Sequence, residues 1–146
     1  MIKGLITMEN GAEIPFVLYD EEAPITVNNF VKLVKEGYYD GKTFHRVIYN
    51  FVSQGGCPYG TGAGSLGYTI PCECHKNVHK HVEGTMSMAH RGKDTGCCQF
   101  FICHTPQPHL DGVHTVFGKV TDNMKAVRAM RNGDIMTSVE ITKEEA

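Results

Sequence analysis

Hydrophobic positions come in short alternating runs along most of the chain, interrupted twice by a helical spacing. Residues 2–19, IKGLITMENGAEIPFVLY, hold two apolar runs divided by Asn10-Gly11. That dipeptide tolerates the positive φ that tight hairpin turns demand, so the segment predicts a β-hairpin. In its second run Ile14, Phe16 and Leu18 fall on one face. In APITVNNFVKLVKEGYYDG, Val27, Phe30, Val31 and Val34 recur at helical spacing, with Thr26 placed to cap and Gly37 to stop. The expected helix is about three turns long. A second helical pattern, DNMKAVRAMRNGD, starts at Asp122 as cap, turns Val127 and Met130 inward and ends at Gly133. EGTMSMAH, CCQFFICH, HTVFGKVT and the closing DIMTSVEITKE read as short strands.

One strand-like stretch breaks the pattern. In TFHRVIYNFVSQGG, residues 43–56, alternation puts Phe44, Arg46 and Ile48 on one face and His45 and Val47 on the other. A permanent cation then stands in an apolar row. Either it lies across an edge strand and pairs with a carboxylate, or it belongs to a site. The following GGCPYGTGAGSLGY is rich in glycine and too long to be an idle connection in a compact domain. Several short strands with two widely separated helices suggest one closed antiparallel sheet, the helices covering its ends; closure removes exposed strand edges. A two-sheet sandwich fits the periodicity nearly as well. No repeat, linker or composition shift divides residues 1–146, so one domain is expected.

Composition narrows the classes of function. With 146 residues, 41% hydrophobic and 21% charged, the chain suits an ordinary globular domain with a sizeable core. A net charge of −2 gives no electrostatic reason to expect nucleic acid. No apolar run reaches the roughly 20 residues needed to cross a bilayer, and MIKGLITMENG turns polar too early for a secretory signal. A cytoplasmic location follows as the expectation, and with it free rather than disulfide-bonded thiols for the six cysteines.

Several chemistries fail on residue type or spacing. Cys97 and Cys98 carry no nucleophile signature, and neighbouring strand residues point opposite ways. The glycine-rich loop lacks the Lys-Ser/Thr ending of a phosphate cradle and no helical pattern follows it. In CECHKNVHKHVEG, Cys72, Cys74, His75, His79 and His81 are types that ligate zinc, but Cys-x-Cys is tighter than the usual spacing and a solvated loop explains the run equally. What remains is an arginine, two amides and apolar walls. Arginine does not give up its proton, so such a site suits a reaction that needs a donor without proton transfer. Rotation about an X–Pro bond is one: its barrier of about 18–20 kcal/mol comes from conjugation of the nitrogen lone pair. An N–H aimed at that nitrogen holds the lone pair out of conjugation.

At this point the sequence resembles the cyclophilin-type peptidyl-prolyl isomerases. The likeness rests on TFHRVIYNFVSQGG, EGTMSMAH, CCQFFI and HLDGVHTVFGKV, four blocks in the family's order and spacing. It implies an eight-stranded antiparallel β-barrel capped by two helices. It implies, too, a monomeric enzyme without cofactor or metal, acting on proline-containing peptides and on unfolded or folding proteins. Carried over residue by residue, Arg46 is the catalytic donor and Gln54 steadies it. Phe51, Val52, Phe101 and Leu110 form the proline pocket with His114 beside it, while Ala89, His90 and Gln99 bind the substrate backbone. Val52 stands where the family commonly has Met, His90 where it has Asn, and DTGCCQ replaces the usual Thr-Asn-Gly-Ser-Gln, which raises oxidation sensitivity at Cys97 and Cys98. His109 replaces a Trp that binds cyclosporin, so cyclosporin-type ligands are expected to bind weakly. A proline-peptide binding module without turnover is the rival reading.

Overall fold

The computed structural model describes residues 2–62 and 66–144. Strands β1 (Ile2–Met8) and β2 (Glu13–Leu18) form the expected hairpin, with Gly11 at φ +90° in its turn. Helix α1 (Pro24–Lys35) follows, then β3 (Thr43–Phe44), β4 (Arg46–Ile48) and β5 (Val52–Gly55). After the glycine-rich loop come β6 (Thr85–Met88), β7 (Phe100–Cys103), a 3₁₀ turn (Pro108–Leu110), β8 (Val116–Val120), α2 (Met124–Arg128) and β9 (Asp134–Glu144). The loop's central residues, Ala63 to Ser65, lie outside the described residues.

All strands join one antiparallel sheet in the order β3-β9-β1-β2-β8-β6-β7-β5-β4. The sheet bends round until β3 meets the end of β5, where the Gly56 N–H donates to the Thr43 carbonyl at 3.2 Å. The Gly55-Gly56 pair makes this seam possible. A Cβ on Gly55 would sit 2.7 Å from the Thr43 oxygen, and one on Gly56, which holds φ +92°, would sit 2.7 Å from the Cys98 oxygen. The architecture is therefore a nearly closed antiparallel barrel, not a sandwich. Among the described residues it has nine strands rather than eight because the chain breaks at His45 and splits one strand into β3 and β4.

That break corrects the alternation read from the sequence. Phe44 is fully buried in the barrel, whereas Arg46 and Ile48 face outward. The cation never stood in the apolar row. The core itself is aromatic: Phe30 of α1 enters the barrel and packs on Phe16, Tyr39, Phe100 and Phe117 at ring separations of 6.0, 5.1, 5.4 and 5.2 Å. All six cysteines are free thiols.

The helix ends depart from expectation. Thr26 lies inside α1, which starts with Pro24 in the first turn and has Ala23 as its cap residue, so its own sequence supplies no capping side chain. Glu73 does so instead from across the chain: its carboxylate accepts from the Ile25 N–H (3.3 Å), the Thr26 N–H (2.7 Å) and the Thr26 hydroxyl (2.8 Å). Gly37 stops the helix as expected, at φ +74°, with Gly37 N–H to Val34 O and Tyr38 N–H to Leu33 O closing the last turn. Helix α2 is only five residues long, capped by Asn123 at φ +65° rather than by Asp122, which bonds to the Asn123 N–H. Val127 and Met130 are buried as expected.

Glu73→Ala should therefore lower unfolding stability by about 1–3 kcal/mol, the cost of orphaning buried helix N–H groups. Urea unfolding at pH 7 reads this directly, and an unchanged midpoint would show that α1 needs no cap from this loop.

Candidate active site

The outward face of the β4-β5-β7 sheet carries a row of side chains fixed by register. Arg46 lies opposite Gln54, and Gln54 opposite Phe101; one step along, Ile48 lies opposite Val52 and Val52 opposite Cys103. Strand β7 is buried on both sides. Phe100 and Ile102 join the barrel core, while Phe101 and Cys103 build a second apolar cluster with Val52, against which Phe51, Ala89 and Leu110 pack. Phe51, Val52, Ala89, Phe101 and Leu110, with Arg46, Gln54, His90 and His114, line a cavity of about 260 Å³. Ten of the eleven site residues expected from the sequence lie in or beside it through these contacts or through Gln99, whose Oε1 accepts from Gln54 Nε2 at 3.1 Å. The eleventh, His109, stacks on Phe51 at 6.0 Å and 21°.

The Arg46 guanidinium is exposed, lies 5.9 Å over the Phe51 ring and donates to Gln54 Oε1 at 3.4 Å. Among the described residues no carboxylate pairs with it. Gln99 continues the chain of amides by donating to the Gly62 carbonyl at 3.1 Å, which ties the glycine-rich loop to the site. That loop borders a second, larger cavity of about 760 Å³ that adjoins the first through Arg46, Gln54, Ala89 and His90. Thr61, Thr69, Arg91 and Thr95 line it too, residues in which the sequence showed no apolar pattern to draw notice.

Two imidazoles form the far wall. His90 and His114 stack at 4.0 Å and 13°, and Phe101 meets His114 edge-on at 5.4 Å. Backbone contacts set their tautomers. The His114 Nδ1–H donates to the Met88 carbonyl (2.9 Å); His90 accepts the Gly92 N–H at Nδ1 (3.1 Å) and donates from Nε2 to the Val113 carbonyl (2.7 Å). Burial lowers the His114 pKa, and the neighbouring histidines add to that, while the Met88 carbonyl opposes it. Burial thus favours the neutral imidazole at His114.

Two buried histidines support the pocket without lining it, and the sequence did not mark either as structural. His104 accepts the Asn50 N–H at Nδ1 (3.2 Å) and contacts Ser53 Oγ with Nε2 (2.8 Å), bracing the β4-β5 turn that carries Phe51; Asn50 holds φ +63° there. His81 binds Asp111. The rest of its run is a largely exposed loop, in which His75 and His79 face solvent and Cys72 and Cys74 are half-buried. His79 stacks on Tyr19 at 3.9 Å and bonds Glu22, and among the described residues no three metal-ligating side chains converge. Cys97 and Cys98 are buried, and burial pushes the Cys98 thiol up to about 11, which disfavours the reactive thiolate and argues against easy oxidation.

Fold and site together define a β-barrel protein with an arginine-centred apolar groove on its outer wall. Residues 5–145 match the family model of the cyclophilin type peptidyl-prolyl cis-trans isomerases. Peptidyl-prolyl cis-trans isomerase B of Bacillus subtilis is 60% identical over 97% of this chain and 99% of its own length. A peptidyl-prolyl cis-trans isomerase of Synechococcus elongatus is 55% identical over the full length of both. The crystal structure of a cyclophilin type isomerase from Cryptosporidium parvum, in the presence of the dipeptide Ala-Pro, aligns with a TM-score of 0.88 and 27% identity over 97% of this chain and 99% of that one. The chain belongs to the cyclophilin-type peptidyl-prolyl cis-trans isomerase family, and it is an isomerase of X–Pro bonds. No described helix is long and apolar enough to cross a membrane.

Burial lowers the pKa of His45, His81, His104 and His114. Histidines that are harder to protonate folded than unfolded let the unfolded chain take up more protons once pH falls below about 6.5. Their contribution to stability is whole above that value and is lost as pH drops through the lowered folded values. Urea midpoints should be flat from pH 8 to 7 and decline below about pH 6.5, before most carboxylates titrate. A midpoint unchanged down to pH 5 would contradict this.

Proposed function

We propose that Arg46 is the catalytic donor and that the smaller cavity seats the proline ring of an X–Pro segment. The observation that carries this reading is the position of a guanidinium, without a carboxylate partner among the described residues, at the rim of an apolar pocket, where an amide steadies it and the Phe51 ring lies 5.9 Å away. Phe51, Val52, Phe101, Leu110 and His114 hold the ring, while Gln54, Ala89, His90 and Gln99 hold the peptide beside it. The guanidinium N–H then points at the prolyl nitrogen as its lone pair leaves conjugation midway through the rotation. No proton moves, so the chemistry needs no basic partner for Arg46.

A charge-assisted hydrogen bond contributes about 1.5–3 kcal/mol, or roughly one to two powers of ten in rate. The remainder comes from taking the carbonyl out of water while it loses polarity and from holding the peptide in place. The substrates implied are proline-containing stretches of unfolded and folding chains in the cytoplasm, whose isomerisation takes tens of seconds or longer unaided. His109, an imidazole on Phe51 where many relatives offer an indole, leaves cyclosporin-type ligands less apolar surface to cover.

Arg46→Ala should cut kcat/KM for an Ala-Pro peptide by at least about tenfold while the protein stays folded. Exchange NMR measures binding and turnover together. Near-normal turnover in the folded variant would remove Arg46 from the mechanism, and binding without turnover in the unaltered protein would favour a pure recognition role.

A further inference from the structure

We propose that His81, which lines neither of the two cavities described above, is the positioning residue that sets the width of the proline pocket. The inference deepens the reading of the smaller cavity as the proline site and rests on it. Two walls of that cavity come from consecutive but separate elements: Phe101 from β7, and Leu110 from the 3₁₀ turn Pro108–Leu110 that follows it. The turn is not paired to the sheet through any strand ladder, so something else must hold it at the right distance.

His81 grips that turn at both ends. Its carbonyl accepts the Gln107 N–H at 2.9 Å just before the turn. Just after it, Asp111 Oδ1 accepts both the His81 backbone N–H and the ring Nδ1–H, each at 2.8 Å. On its other side the ring is fixed to the barrel. Nε2 lies 2.8 Å from the hydroxyl of Ser87, a β6 residue directly opposite Phe101, and that hydroxyl also reaches the Thr115 carbonyl at 3.0 Å. The imidazole plane lies against the back of Phe101 at 6.0 Å and 17°. One ring therefore links the Leu110 wall to the Phe101 wall. Its side chain is 0% exposed, so it acts through these neighbours and never through the substrate.

The arrangement resembles a carboxylate–imidazole–hydroxyl relay, but Ser87 is itself fully buried and has no path to a substrate carbonyl. The relay holds a distance; it attacks nothing. Arg46 stands on β4, outside this network. Loosening the clamp should therefore weaken proline binding and leave the rotation step alone, a separation that general destabilisation does not produce.

Exchange NMR with an Ala-Pro peptide gives kcat and KM separately. Asp111→Ala removes the partner at a partly exposed position and spares the core; His81→Phe keeps a ring on Phe101 and the backbone contacts of residue 81 but removes the two polar contacts of the imidazole. Each should raise KM about tenfold, as expected for loss of a buried hydrogen bond, with kcat within about twofold. His81→Asn still presents a donor toward Asp111 and should recover most of the lost affinity. A wild-type KM in folded Asp111→Ala, a fall in kcat at constant KM, or an Asn variant as impaired as the Phe variant would each overturn the proposal. Turnover by the unaltered protein in the same assay tests the underlying site reading independently.

Discussion

The site depends on the register in which β5 runs between β4 and β7. Side chains on a strand alternate with a period of two, so a slip of one residue would exchange every inward group for an outward one. In the observed pairing Arg46, Gln54 and Phe101 fall in one line across three strands, and Phe100 and Ile102 fall behind them in the barrel core. Core packing thereby enforces the active face. Phe100 makes edge-on contacts with Phe30, Tyr39, Phe44 and Phe117, and those contacts are lost if β7 shifts. The barrel's stability and the groove's geometry are two consequences of one set of ladder hydrogen bonds.

The barrel also explains why a cation can stand beside an apolar pocket at little cost. The break at His45 turns Arg46 outward, where water solvates its charge, while its guanidinium lies over the Phe51 ring. A fully buried guanidinium would demand a carboxylate partner, and such a partner would occupy the donor proposed to act in the rotation. The seam at Gly55-Gly56 brings β3 close enough to β5 to place that break beside Gln54. Closure of the sheet and exposure of the arginine are linked through two glycines.

Away from the groove, the structure ties its long connections down with buried polar side chains rather than with apolar anchors. Glu73 caps α1 from the segment after the glycine-rich loop, His104 braces the β4-β5 turn, and His81 clamps the segment that bears His109 and Leu110. Buried polar groups are costly unless satisfied, and once satisfied they admit few alternative geometries. That combination suits connections that must hold pocket walls in place without a strand ladder.

The sequence by itself determined the elements and named most of the residues that line the smaller cavity. The hairpin at Asn10-Gly11, the amphipathic run through Phe30 and the strand 134–144 are local patterns, and alternation and helical spacing express them without reference to the rest of the chain. The four family-like blocks likewise named the residues that meet around the cavity. Tertiary structure alone decided what depends on contacts between distant segments. Thr26 looks like a cap until Glu73 arrives from 47 residues away; Arg46 shares a face with Phe44 until barrel closure bends the strand between them; His81 reads as a solvated or metal-binding histidine until Asp111 and Phe101 enclose it. Periodicity records which way a side chain points relative to its neighbours in sequence, and it holds no record of what the fold later brings against that side chain.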